Sequence, residues 1–115
     1  MQVMSSGTVA QRLSRLALLY EKGQASEVMD RTLDKLLTYE AEQSQAQLDE
    51  LTTELSEIEH KYGMTSDEFY RRFQAGQTDD RMDFVEWASL AQMAANLRQR
   101  LSLLMGCLLY TSRCV

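Results

Sequence analysis

From Leu37 to Tyr62 the chain sets Leu37, Ala41, Ser44, Leu48, Leu51, Leu55, Ile58 and Tyr62 at alternating spacings of four and three, a heptad seam on one helical face. No other feature restricts the fold as strongly, and no run of strict alternation points to a strand. The seam belongs to a longer helical stretch that opens at Ser26, a natural N-cap, and passes through Met29, Leu33 and Leu36. At a rise of about 1.5 Å per residue this helix spans roughly 50 Å. That is longer than a compact domain of this size needs, so something antiparallel must cover it. A second seam at Trp87, Leu90, Ala94, Leu97, Leu101 and Leu104 can do so. The expected fold is all-α: a long helical hairpin or antiparallel coiled coil, with a short N-terminal helix and a short helix at the corner.

The joints follow from punctuation. There is no proline, and Gly7, Gly23, Gly63 and Gly76 separate the periodic segments. Thr8 and Gln11 predict a capping box for a first helix with Val9, Leu13, Leu16 and Tyr20 on its apolar face. Thr65 and Glu68 predict a second box, with Met64 stapled onto Phe69. Asp83 is expected to cap the last helix with Glu86 returning the bond and Met82 stapled to Trp87, unless that helix starts earlier, at Asp79 or Asp80.

Charge limits the classes of partner. Seventeen Asp and Glu against twelve Lys and Arg give a net charge of -5 over 115 residues. An acidic chain is a poor match to a phosphate backbone, and a basic protein surface fits it better. The turn at Gly23-Gln-Ala-Ser26 has the spacing of a helix-turn-helix. The helix after it, however, opens with Glu27 and Asp30, where a recognition helix needs donors, so direct nucleic-acid binding is not expected. No apolar run reaches the roughly 20 residues that cross a bilayer, and the start Met1-Gln2-Val3-Met4-Ser5 lacks the pattern of a signal peptide. The expectation is a cytoplasmic protein with no membrane contact.

The residues also argue against chemistry. His60 is the only histidine, and the cysteines, Cys107 and Cys114, sit near the end of the chain. Neither a metal set nor a nucleophile-base pair can be assembled from these, so no catalytic residue, metal or cofactor is expected. Asp79, Asp80, Asp83 and Glu86 lack the ligand spacing of a calcium loop and suit a helix start instead. Arg71 and Arg72 beside Tyr70 and Phe73 form a basic-aromatic patch that more often solvates a helix or pairs with carboxylates than stacks bases. The aromatics Tyr62, Phe69, Tyr70, Phe73, Phe84 and Trp87 gather near the corner. They either pin it as a small core or anchor a protein partner, and Phe69, Tyr70, Phe73, Phe84 and Trp87 are the candidate partner-binding residues.

The stretch Tyr62-Gly-Met-Thr-Ser-Asp-Glu-Phe-Tyr-Arg-Arg-Phe-Gln-Ala-Gly76, the segment Asp80-Arg-Met-Asp-Phe-Val-Glu-Trp87 and the upstream Ala25-Ser-Glu-Val-Met-Asp-Arg-Thr-Leu-Asp-Lys-Leu-Leu37 resemble a family of small prokaryotic helical proteins. That family is similar to the antitoxin side of TumE-type toxin-antitoxin pairs, and the resemblance runs from about Leu13 to Leu104. At the corner this chain reads Gly76-Gln-Thr-Asp-Asp80 where the family has Gly-Glu-Leu-Gly-Asp. The resemblance implies neutralisation by binding: an antitoxin-like chain holds a co-encoded small toxin-like protein, and no catalytic residue carries over. The rival expectation is a structural coiled-coil protein that pairs only with copies of itself, as a homodimer or larger oligomer.

Residues 1–106 are expected to form a single helical domain. The tail Cys107-Leu-Leu-Tyr-Thr-Ser112 resembles a translated transposon-end adapter, spelled by the codons TGT-CTC-TTA-TAC-ACA-TCT. Residues 107–115 are therefore expected to be adapter sequence, although Leu108 and Leu109 also extend the apolar pattern before them.

Overall fold

A computed structural model describes residues 7–113, with side chains to Leu108; Cys114 and Val115 of the expected adapter tail lie outside the described residues. Four helices follow one another: α1 (Val9–Glu21), α2 (Glu27–Tyr62), α3 (Ser66–Gln74) and α4 (Met82–Arg113). No strand occurs among the described residues, and the fold is all-α as the two seams predict. By its contacts the chain divides into two compact units, Met1–Lys35 and Leu36–Val115.

In the larger unit α2 and α4 pack as an antiparallel hairpin. At one end the Tyr62 hydroxyl donates to Asp83, and at the other Arg100 pairs with Glu40. Leu48, Leu51 and Leu55 of α2, Phe69 of α3, and Trp87, Ala88 and Ala94 of α4 make the core. Ile58, Tyr62, Leu90, Leu97 and Leu101 pack against it half-buried, so both seams point inward along their length. Each fully buried Leu contributes about 1.5–3 kcal/mol. Ala41 and Ser44 continue the buried line of α2 beyond that cluster.

The smaller unit holds α1 and the first turns of α2. Thr8 caps α1 through the full box: its hydroxyl accepts from the Gln11 amide at 3.1 Å, and the Gln11 side chain accepts from the Thr8 amide at 2.8 Å. Ser26 caps α2 by accepting from the Met29 amide at 3.2 Å. Leu16, Tyr20, Met29 and Leu33 are half-buried, yet no residue of α1 is buried outright.

Two glycines close helices in the corner. Gly63 (φ +63°) and Gly76 (φ +72°) adopt the left-handed conformation that any side chain would strain. Each turns the chain so that the next amide reaches back to a free carbonyl: Met64 N–H to Glu59 at 3.2 Å, and Gln77 N–H to Arg72 at 2.9 Å.

The two later start signals work differently from expectation. Thr65 does cap α3, accepting from the Glu68 amide at 3.1 Å. Glu68 does not complete a box, because its carboxylate is taken by Arg71 and Arg72 at 2.7 and 2.8 Å. Glu59 of α2 accepts instead from the amide that follows, taking the Ser66 N–H at 2.8 Å. Asp83 is not the cap of α4; it lies in the first turn and receives the Tyr62 hydroxyl, while the Arg81 carbonyl accepts from Phe84 and Val85. Met82 is 79% exposed and makes no staple. Asp79 lies before the helix, where its carboxylate holds the Arg81 amide and guanidinium.

Burial separates the seam from its flanks in a measurable way. Leu55 is 4% exposed and Leu36 is 53% exposed. Leu55→Ala is expected to cost about 2–5 kcal/mol in urea denaturation, against less than about 0.5 kcal/mol for Leu36→Ala.

Candidate partner-binding surface

Corner packing begins with one flat contact. The Trp87 indole lies on the Phe69 ring, centroids 3.9 Å apart and planes within 3°, and both side chains are fully enclosed. Such stacked pairs add about 0.5–1.5 kcal/mol beyond their burial. Tyr62 stacks on the indole at 5.5 Å, and Phe84 meets Tyr62 and Phe69 edge-on or tilted at 5.4 Å. Phe73 leans on Phe69 at 5.6 Å. The one polar atom of the indole is satisfied, since Nε1–H donates to Ser66 Oγ at 2.9 Å. α3 is thereby tied to α4 by a stacked ring and a hydrogen bond together.

The five aromatics expected at a partner surface are thus brought to one place but differ in access. Phe69 and Trp87 face the chain's own interior, 2% and 1% exposed. Tyr70, Phe73 and Phe84 are half-buried at its edge. The Tyr70 hydroxyl donates to Gln92 of α4, and Arg81 covers the Phe84 ring at 4.8 Å. Met82 and Val85 stand exposed beside them.

Charges at the corner are mostly engaged. Both arginines of the basic-aromatic patch are held by Glu68, and that pairing, led by the Arg72 hydrogen bond and then the field of Arg71, keeps the Glu68 carboxyl below its ordinary pKa. Asp79 is likewise lowered by its hydrogen bonds from Arg81. Lys61 sits 3.6 Å from Asp83. A cleft of about 520 Å³ opens between α2, α3 and α4, lined by Glu59, Asp67, Tyr70, Gln92 and Arg98 among others. His60 is exposed on a shallower hollow. No group of three or more His, Cys, Asp or Glu that could hold a metal ion occurs among the described residues. No helix among them is long and apolar enough to cross a membrane.

A run of carboxylates without ion pairs among the described residues lies on α2, where the Asp49 carboxylate accepts from the Gln45 side-chain amide at 2.9 Å. Between Lys35 and Lys61 there is no Lys or Arg, and Glu42, Asp49, Glu50, Glu54 and Glu57 are all exposed. Steps of seven or eight residues place Glu42, Asp49, Glu50 and Glu57 on one side of the helix, opposite Ser44, Leu48, Leu51 and Leu55. This stripe is not among the residues singled out by aromatic content, and its signal in the sequence is the missing cations within a heptad pattern. Glu59 was also not legible as a cap, because its acceptor role depends on how α3 folds back against α2.

No protein-family model, curated protein or solved structure matches the chain.

Two measurements check the corner. Ser66→Ala leaves the buried indole N–H without an acceptor and is expected to cost about 1–3 kcal/mol, read by denaturation. Because the folded pKa of Glu68 lies below its unfolded value, its stabilising effect is complete above the ordinary carboxylate range and is lost as pH falls through the lowered value. In an NMR titration, Arg72→Ala is expected to move the Glu68 midpoint upward; an unmoved midpoint would mean that the pair is not held in solution.

Proposed function

We propose that this chain is a non-catalytic, antitoxin-like protein that binds and neutralises a small co-encoded toxin-like partner in the cytoplasm. The observation that carries the reading is the exposed acidic stripe of Glu42, Asp49, Glu50 and Glu57, backed by a rigid buried seam. A long helix with one face fixed by packing and a line of exposed carboxylates on the other suits a basic protein surface, both by attraction at a distance and by excluding acidic competitors. Met82 and Val85, with the half-buried Phe73 and Phe84, supply the apolar contacts that such interfaces also use. The resemblance of Tyr62–Gly76 and Asp80–Trp87 to the antitoxin side of TumE-type pairs supports the same reading. Inhibition by occlusion requires no reactive group on this chain. The second reading, a structural protein that oligomerises only with itself, is favoured by the uncovered apolar residues of α1.

The test is co-purification of the tagged chain with its neighbouring reading frames, joined to a growth assay of each neighbour. Recovery of a neighbour whose toxicity disappears in the presence of this chain is the expected result. A lone homo-oligomer with no effect on any neighbour would establish the second reading instead. Within a recovered complex, Glu50→Lys with Glu57→Lys is expected to weaken affinity at least tenfold with helicity unchanged, and the wild-type affinity is expected to fall as salt is raised. Affinity indifferent to both changes would remove the acidic stripe from the interface.

A further inference from the structure

We infer that the amino-terminal helical unit is a homodimerisation surface, and that its occupant is the same unit of a second copy. This stands independently of the neutralisation reading, since it concerns different residues. α1 has thirteen residues and none of them is buried. Val9, Leu13, Leu18 and Leu19 are 67%, 54%, 48% and 39% exposed, and Val28 at the start of α2 is 70% exposed. A helix of this length is marginal in water unless an apolar face is packed. So much uncovered aliphatic surface on one short pair of helices marks an association site.

Charge identifies what covers it. α1 and the residue after it carry Arg12, Arg15 and Lys22 against Glu21 alone, and neither Arg12 nor Arg15 makes an ion pair among the described residues. The first turns of α2 carry Glu27, Asp30 and Asp34 along one side, with Glu27 holding Arg31 at 3.0 Å. With Arg31 and Lys35 counted, the unit sets a basic helix of net +2 beside a mildly acidic segment of net -1. Joined about a two-fold axis, two such units bring α1 of each copy against α2 of the other, so that Arg12 and Arg15 meet Asp30 and Asp34 twice over. The overall balance agrees. Met1–Lys35 holds five cations and four anions, a net charge of +1, which leaves -6 on Leu36–Val115 out of the total of -5. Pairing two copies through the second unit would oppose two bodies of -6, whereas pairing through the first opposes two that are nearly neutral and self-complementary.

The test is the mass of the full chain in solution by sedimentation equilibrium, at moderate and at high salt. Wild type is expected to weigh twice its 13.2 kDa. Arg12→Glu with Arg15→Glu, and separately Asp30→Lys with Asp34→Lys, are each expected to raise the dimer dissociation constant at least tenfold. An equimolar mixture of the two variants is expected to restore the dimer, because each then carries the charges the other lacks. Trp87 is the single tryptophan and lies outside this unit, so an unchanged emission spectrum shows that Leu36–Val115 is still folded in each variant. A monomeric wild type, a dimer indifferent to either reversal, a mixture that stays monomeric, or coverage by a co-expressed neighbour in one-to-one complex would each overturn the proposal.

Discussion

The stacking of Trp87 on Phe69 is the contact on which the larger unit depends. Among the described residues it is the one place where side chains from α3 and α4 are fully enclosed together, and Tyr62 brings the end of α2 onto the same indole. α3 has nine residues, too few to hold a helix in water without packing. Its persistence rests on Phe69 beneath the indole, on the Ser66 hydroxyl accepting from Nε1, and on Glu59 accepting from the Ser66 amide. These three contacts converge on the first turn of α3. They fix where the chain reverses, and therefore which residues of α2 and α4 face each other along the hairpin.

That arrangement also decides what is left over. With the seam residues turned inward and the corner arginines held by Glu68, the surface of α2 retains its carboxylates and little to neutralise them. A continuous helix of 36 residues thus carries two opposite properties on opposite sides, an apolar line that folds the chain and an acidic line exposed to solvent. The rings at the corner sit between these roles. Phe69 and Trp87 belong to the packing, while Phe73 and Phe84 keep part of their surface at the edge.

Much of the fold could be read from the order of residues, for a physical reason. Thr8, Ser26 and Thr65 cap helices through bonds to amides three residues on, and such local geometry is contained in the sequence itself. The heptad spacing likewise names the buried residues from Ala41 to Leu55, and Trp87 and Ala94 of α4, but not Ala88, which is buried beside Trp87. Where an end of a helix depends on a distant group, the sequence is silent. Glu68 prefers two nearby guanidinium groups to the Thr65 amide, and Asp83 answers Tyr62 across the corner instead of capping its own helix. The candidate site was legible in part. The aromatics stand out in the sequence as a group, but which of them face inward follows only from the docking of α3, and the acidic stripe emerges once the buried side of α2 is known.

The innermost aromatics of the corner are consumed by the fold, and the proposed recognition then falls to the acidic flank and the apolar edge. Quenching of Trp87 fluorescence by acrylamide, in the chain alone and with its recovered partner, tests this most directly. A weakly quenched, blue-shifted emission in the free chain that changes little on binding is the expected result. An indole freely quenched in the isolated chain and protected only by the partner would contradict it, and would place Trp87 in the interface.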